Sequence, residues 1–340
     1  MSIHEIARRA GVSIATVSYA LNNKGNVSSQ KRELIARIAE ELNYVPNSLA
    51  KGLLSKKTSI IGLIVPDISM PYTLALIRYL ELHARENELF LLLGHTDGNM
   101  KTLMGIVDSF ISKNVDALII ATGSDFSEAD MSEAISHIEK FKVPSILISP
   151  SHHFQGMKMN YVIPDLEEGE YQITRFLLAN GHRQLLYVGG ERHNFVTEIR
   201  RRGFVRALEA AGIEVQEDQY RDCGYTFQDG YCEIIRFLES GSPLPSAFVA
   251  INDSVALGIY KGLKERGIRV PEDVSLVGYD DIELPTLDFI PMTTVKIPVA
   301  EMSRLCMDGL MRYWEGQNFT FQYSLKPELV IRDSVKILPE

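Results

Sequence analysis

The sequence predicts a small all-α helix-turn-helix head followed by an α/β body of two doubly wound parallel-sheet subdomains, and three observations carry that reading. Apolar residues in the first 45 positions recur at helical spacing, from Ser59 onward short β-branched runs alternate with helical stretches, and the charge is divided unevenly. Residues 1–58 hold nine Lys and Arg against four Asp and Glu, whereas the remainder carries a net charge of −14 within an overall −9. A basic head on an acidic body points to nucleic-acid contact by the small part and a separate task for the large one.

The head reads as three helices. Ser2 with Glu5 fits a capping box, Ile3, Ile6, Ala7 and Ala10 share a face, and Gly11 stops the first helix. Ser13 caps a second helix with apolar positions Val17, Ala20 and Leu21, and the short spacer Gly11 to Ser13 sets the two at a steep angle. A third helix opens at Ser28 or Ser29 and presents Leu34, Ile38 and Leu42, backed by Ile35 and Ala39. After Pro46, the stretch Leu49 to Leu54 is a weak helix of about two turns interrupted by Gly52, too short to be stable without a partner.

In the body, strands are expected at Ile60 to Val65, Phe90 to Leu93, Ala117 to Ala121, Ser145 to Ile148, Leu185 to Val188, Ala247 to Ile251 and Ser275 to Val277, with a last strand near Leu329 to Arg332. These are too many for one compact sheet, so two subdomains are expected, with a first crossing near Tyr161 and a ligand beyond the carboxyl ends of the strands.

Several functions are excluded at this level. The longest apolar runs fall far short of the roughly 20 residues of a membrane helix. The N-terminus lacks the apolar core of a signal peptide, which points to the cytoplasm. Cys223, Cys232 and Cys306 are read as packing residues. His152-His153 has no third ligand at metal spacing, Gly189-Gly190 fits neither phosphate-loop pattern, and the acidic pairs Glu167-Glu168 and Asp280-Asp281 have no catalytic companion. No metal, no cofactor and no catalytic residue is expected.

The segments Ile3 to Asn22, Val27-Ser28 and Glu41 to Asn47 closely resemble the head of the lactose/galactose repressor (LacI/GalR) family. Ile61 to Asp67, Asn180 to Arg183, Arg200 to Phe204, Ala250 to Asp253, Val274 to Asp281 and Leu329 to Arg332 look like that family's body landmarks in the family's order. The resemblance implies a periplasmic-binding-protein-like body and three parts: a DNA-binding head at 1–45, a hinge helix and linker at 46–58, and an effector-binding and dimerisation region at 59–340. Its subdomains would be 59–160 with 292–322, and 161–291 with 323–340.

By the same resemblance Ile14, Ala15 and Tyr19 face base edges in the major groove, while Thr16, Ser18 and Asn22 fix backbone register, with Ser13 counted beside them. Tyr19 departs from the charged or strongly hydrogen-bonding residue of many relatives; the alternatives are a phosphate-directed hydroxyl at Tyr19 and a packing role for Ile14. Leu53 falls at the family's minor-groove wedge, beside Ala50 and Lys51, against a reading of Leu53 and Leu54 as plain linker residues.

Tyr72, Thr73, Asp165, Arg200, Tyr225, Asn252 and Asp280 match effector-pocket positions, and this mixture suits sugar hydroxyls. Alternatively, Arg200 and Asp280 form a buried ion pair orienting a loop. Asn194 and Val196 stand where purine-binding relatives have Arg and Thr, which favours a sugar-like effector. The expected protein is a homodimeric repressor of a palindromic double-stranded DNA operator, controlled by that effector. A sugar receptor would need a signal peptide and no basic head, and a sugar enzyme a catalytic constellation.

Overall fold

The computed structural model describes residues 2–21, 25–44, 57–122, 126, 128–148, 159–192, 194–282, 291–317 and 320–339. The chain divides into two units, residues 1–59 and 60–340.

In the first unit, α1 (Ile3–Ala10), α2 (Ile14–Leu21) and α3 (Ser29–Glu41) pack around Ile6, Val17, Ala20, Ile35, Ile38 and Leu42. Gly11 ends α1 at φ +60°, where its N–H closes back on Ala7 and Arg8. Two expectations are corrected. The Ser2 side chain makes no capping bond, and the Glu5 carboxylate turns to Arg8 and Arg9 rather than back to the Ser2 N–H. Leu34 is exposed, and Ile35 takes the interior position one residue on.

In the second unit the chain runs β1 (Ile60–Val65), α4 (Pro71–Glu86), β2 (Phe90–His95), α5 (Met100–Ser112), β3 (Ala117–Ala121), α6 (Glu128–Lys140), β4 (Ser145–Ile148) and β5 (Asn160–Pro164). It continues through α7 (Leu166–Ala179), β6 (Leu185–Val188), α8 (Phe195–Ala210), β7 (Tyr220–Arg221), α9 (Phe227–Glu239), β8 (Ala247–Ala250), α10 (Asp253–Glu265) and β9 (Ser275–Val277). Last come β10 (Thr294–Lys296), α11 (Val299–Trp314), β11 (Gln322–Leu325) and β12 (Glu328–Val330).

A six-stranded parallel sheet has the order β11-β5-β4-β3-β1-β2 and a four-stranded parallel sheet the order β7-β6-β8-β9. Strands such as Ala117–Ala121 are buried along their whole length, as helices on both faces require. The chain leaves the first sheet after Pro164, rather than near Tyr161, because β5 pairs with β4; β11 likewise keeps residues to Leu325 in that sheet. The antiparallel pair β10–β12 forms a separate short ribbon.

Helices α7 and α8 pack closely because residue 203 is glycine. A Cβ there would meet the Glu167 carbonyl oxygen at 2.2 Å and the Glu170 Cβ at 2.8 Å. Of the cysteines, Cys306 is buried and Cys223 partly so, but Cys232 is exposed and does not pack as expected. The His152-His153 pair lies outside the described residues.

Candidate functional site

In the head, burial of Val17 and Ala20 turns the opposite face of α2 outward, so that Ser13, Ile14, Ala15 and Tyr19 are exposed, while Thr16 and Ser18 are half-buried. Ser13 Oγ accepts from the Thr16 backbone N–H at 3.1 Å and lies 2.9 Å from Thr16 Oγ1, which fixes the first turn of the helix. Ile14 and Tyr19 are thus large apolar surfaces left uncovered within this unit. Asn22, Ala50, Lys51 and Leu53 lie outside the described residues.

In the body, a cavity of about 430 Å³ is built from segments that follow strands of both parallel sheets, together with the starts of the helices beyond them. Tyr72 and Thr73 enter from α4, Arg200 from α8, Tyr225 from the loop before α9, Asn252 from the turn after β8, and Asp280 from the loop after β9. Six of the seven expected residues therefore meet at one cavity. Asp165 is not in its lining: its carboxylate accepts the Glu168 N–H at 3.0 Å and caps α7, between the lining residues Pro164 and Leu166.

Arg200 and Asp280 are a buried ion pair, 2.9 Å from Nη2 to Oδ1, and both also line the cavity. Arg200 Nη1 donates to the Ile251 carbonyl, and the guanidinium lies 3.9 Å from the centre of the Tyr279 ring. Burial works against the Arg200 charge, but Asp280 and the neighbouring tyrosines and Glu170 outweigh it, so its pKa is raised. Burial likewise pushes the Asp280 carboxyl above the ordinary carboxylate range, and Arg200 restrains the rise. Asp280 has φ +105°, a costly conformation held by the bond from its N–H to the Val295 carbonyl at 2.8 Å. Asp281, at φ +52°, points elsewhere and binds Arg332 at 2.6 Å.

The remaining groups are held by helix starts. Asn252 caps α10 through Oδ1, accepting from Val255 N–H at 2.8 Å, and donates from Nδ2 to the Tyr225 carbonyl at 2.9 Å. The Tyr225 hydroxyl lies 2.7 Å from Thr197 Oγ1. Burial, followed by the nearby Asp280 charge, raises the Tyr72 phenol pKa, so it stays protonated and able to donate. Burial also pushes the Cys223 thiol up to about 12, which leaves it a packing group at the wall rather than a thiolate.

Sequence reasoning missed Asp67, Glu191, Thr226 and Asp229, which also line the cavity, and Glu170 close by. Asp229 carried a local signal, since Thr226 and Asp229 form a capping box at the start of α9. Asn194 and Val196 both reach the wall, and Asn194 caps α8. Among the described residues no group of three or more His, Cys, Asp and Glu could hold a metal ion, and no helix is long and apolar enough to cross a membrane.

The sequence pattern of the lacI family of bacterial regulatory proteins matches residues 2–47, and that of the periplasmic binding protein-like domain matches residues 174–335. The chain is 30% identical over 335 residues to the ribose operon repressor of Haemophilus influenzae, covering 98% of each sequence. The chain belongs to the LacI family. Another relative, the HTH-type transcriptional regulator DegA of Bacillus subtilis, is 31% identical over 338 residues, covering 99% of this chain and 98% of that one. The fold of this LacI-family regulator is also that of the Lac repressor dimer bound to operator and the anti-inducer ONPF, with a TM-score of 0.87, 24% identity and 99% coverage of both chains.

Proposed function

We propose that the chain represses transcription by binding a palindromic operator as a homodimer through α2, and that the body cavity takes a sugar-like effector. The observation that carries this reading is the pairing, in one chain of a regulator family, of an uncovered helix-turn-helix face with a cavity at the strand ends whose largely apolar wall carries hydroxyl, amide and charged groups. In the head, Ile14, Ala15 and Tyr19 read base edges and Ser13, Thr16, Ser18 and Asn22 set register, while Ala50, Lys51 and Leu53 engage the minor groove. In the cavity, Tyr72, Thr73, Tyr225, Asn252, Arg200 and Asp280 offer the donors and acceptors that hydroxyl groups need, with Asp165 supporting the wall from its cap position. The domain boundaries proposed are 1–45, 46–58 and 59–340, and operator DNA places the protein in the cytoplasm.

The dimer reading is supported by an edge strand. On β2, at the end of the six-stranded sheet, Phe90 is 70% exposed and Leu93 44%, and Leu74 on the adjoining α4 is 54% exposed. Uncovered apolar side chains along a sheet edge suit a second copy.

Selection of random duplexes by the purified chain at near-physiological salt tests the reading. A recovered palindrome supports it, and salt-sensitive binding without sequence preference refutes it. On the recovered site, Tyr19→Phe should change preference at particular bases; a uniform loss assigns the hydroxyl to phosphate.

A further inference from the structure

A second carboxyl acts on Arg200 without lining the cavity. Glu170, on α7, is fully buried, and neither of its carboxylate oxygens has a hydrogen-bond partner. Arg200, on the adjoining α8, has a buried Nε–H that is likewise without a partner. The close approach of these helices at Gly203 brings the two side chains into one interior region. The groups that face it are Arg200 and Arg201 from α8, Tyr187 from β6, Tyr225 from the loop before α9, Tyr279 and Asp280 from the loop after β9, and Asp165 beside α7. Arg200 is the cation that acts on Glu170, yet its guanidinium is bonded to Asp280 instead.

A carboxyl buried without a bonded cation keeps its proton, because the charged form has lost its water and gained nothing. Burial pushes Glu170 up to about 8, so it is an uncharged acid at neutral pH beside an arginine that another carboxylate holds. Two acids therefore lie near one guanidinium, and only the one at the cavity is bonded to it.

We propose that Glu170 is a positioning residue for the cavity, the second carboxylate partner of Arg200, taking up the guanidinium when a ligand hydroxyl engages Asp280. This rests on the reading of the cavity as the effector site. As Arg200 turns, the Glu170 O–H bond breaks and its proton goes to the buffer, while Arg200 remains charged throughout. One proton leaves for each ligand bound. From the Glu170 value of the liganded state up to about pH 8, affinity then rises about tenfold for each unit by which the pH is raised, by linkage.

The test uses the full chain. Infrared spectroscopy at pH 7 should show an uncharged carboxylic acid band that Glu170→Gln removes. In Asp280→Asn, without any ligand, that band should vanish at pH 7 and return only on acidification, because Arg200 has lost its other carboxylate. A Glu170 band unchanged in Asp280→Asn, or none assignable to Glu170 in the wild type, overturns the proposal. If Asp280→Asn does not fold, Asp280→Ser serves in its place.

Calorimetry with D-ribose, D-galactose and cellobiose, in phosphate and in Tris at pH 7, counts protons independently. A sugar that binds should release about one proton from the wild type and none from Glu170→Gln, which a merely structural Glu170 would not produce. Binding without release overturns the proposal. Should none of the three bind, the sugar reading of the cavity is what fails, and the infrared result alone decides the partnership of Glu170 with Arg200.

Discussion

Arg200 is where the chemistry of the body converges: one guanidinium meets a carboxylate, a carbonyl and a tyrosine face, all inside the fold. Removing it leaves Asp280 buried without a cation, so Arg200→Met should cost roughly 3–5 kcal/mol of stability, measured by denaturant unfolding. Glu170 makes the opposite prediction about pH. In the unfolded chain it loses its proton near 4.5, whereas in the folded chain it keeps it to about 8. Between those values the unfolded state binds fewer protons, so the contribution of Glu170 to stability is full below pH 4.5 and is lost as pH rises towards 8. Thermal unfolding of Glu170→Gln and wild type should show the variant gaining Tm relative to the wild type from pH 5 to pH 8. Asp253, pushed to about 7 by burial, acts in the same direction, but it is present in both proteins.

At the scale of elements, the contact between α7 and α8 matters most, since these helices carry Glu170 and Arg200. Gly203→Ala places a Cβ 2.2 Å from a backbone oxygen, which no rotamer can relieve, so the helices must separate. The expected cost is at least ~1–3 kcal/mol in unfolding experiments, accompanied by weaker sugar binding. In the head, α2 needs no such contact to show its outer face. Its eight residues have only Val17 and Ala20 buried, and the same periodicity that hides these exposes Ile14, Ala15 and Tyr19.

For the whole molecule, the proposed dimer makes operator binding depend on an edge far along the chain from α2. Phe90→Glu should convert the protein to a monomer in sedimentation experiments and lower operator affinity, because two half-sites can no longer be bound together. A dimer unchanged by Phe90→Glu removes β2 from the interface. The parallel sheets themselves explain why the cavity lies where it does: their strands end on the loops that carry Thr122, Asn252 and Asp280.

The sequence by itself determined the three-helix head, the alternating α/β body, the family and six of the residues that meet at the cavity. Strands such as Ile60–Val65 and Ala117–Ala121 were legible because burial on both faces demands an unbroken apolar run. Gln322–Leu325 was not, because Gln-Tyr-Ser-Leu at a sheet edge is held by backbone pairing to β5 rather than by apolar side chains. Asp165 reads equally well as a ligand group or a helix cap, and the fold shows its carboxylate accepting the Glu168 N–H. The acidic run Glu167, Glu168 and Glu170 looks like one solvated helix start, yet Glu167 and Glu168 pair with Arg206 at the surface while Glu170 is enclosed. That difference is tertiary: local propensity places all three on a helix, but only the packing of α7 against α8 decides which carboxyl loses its water.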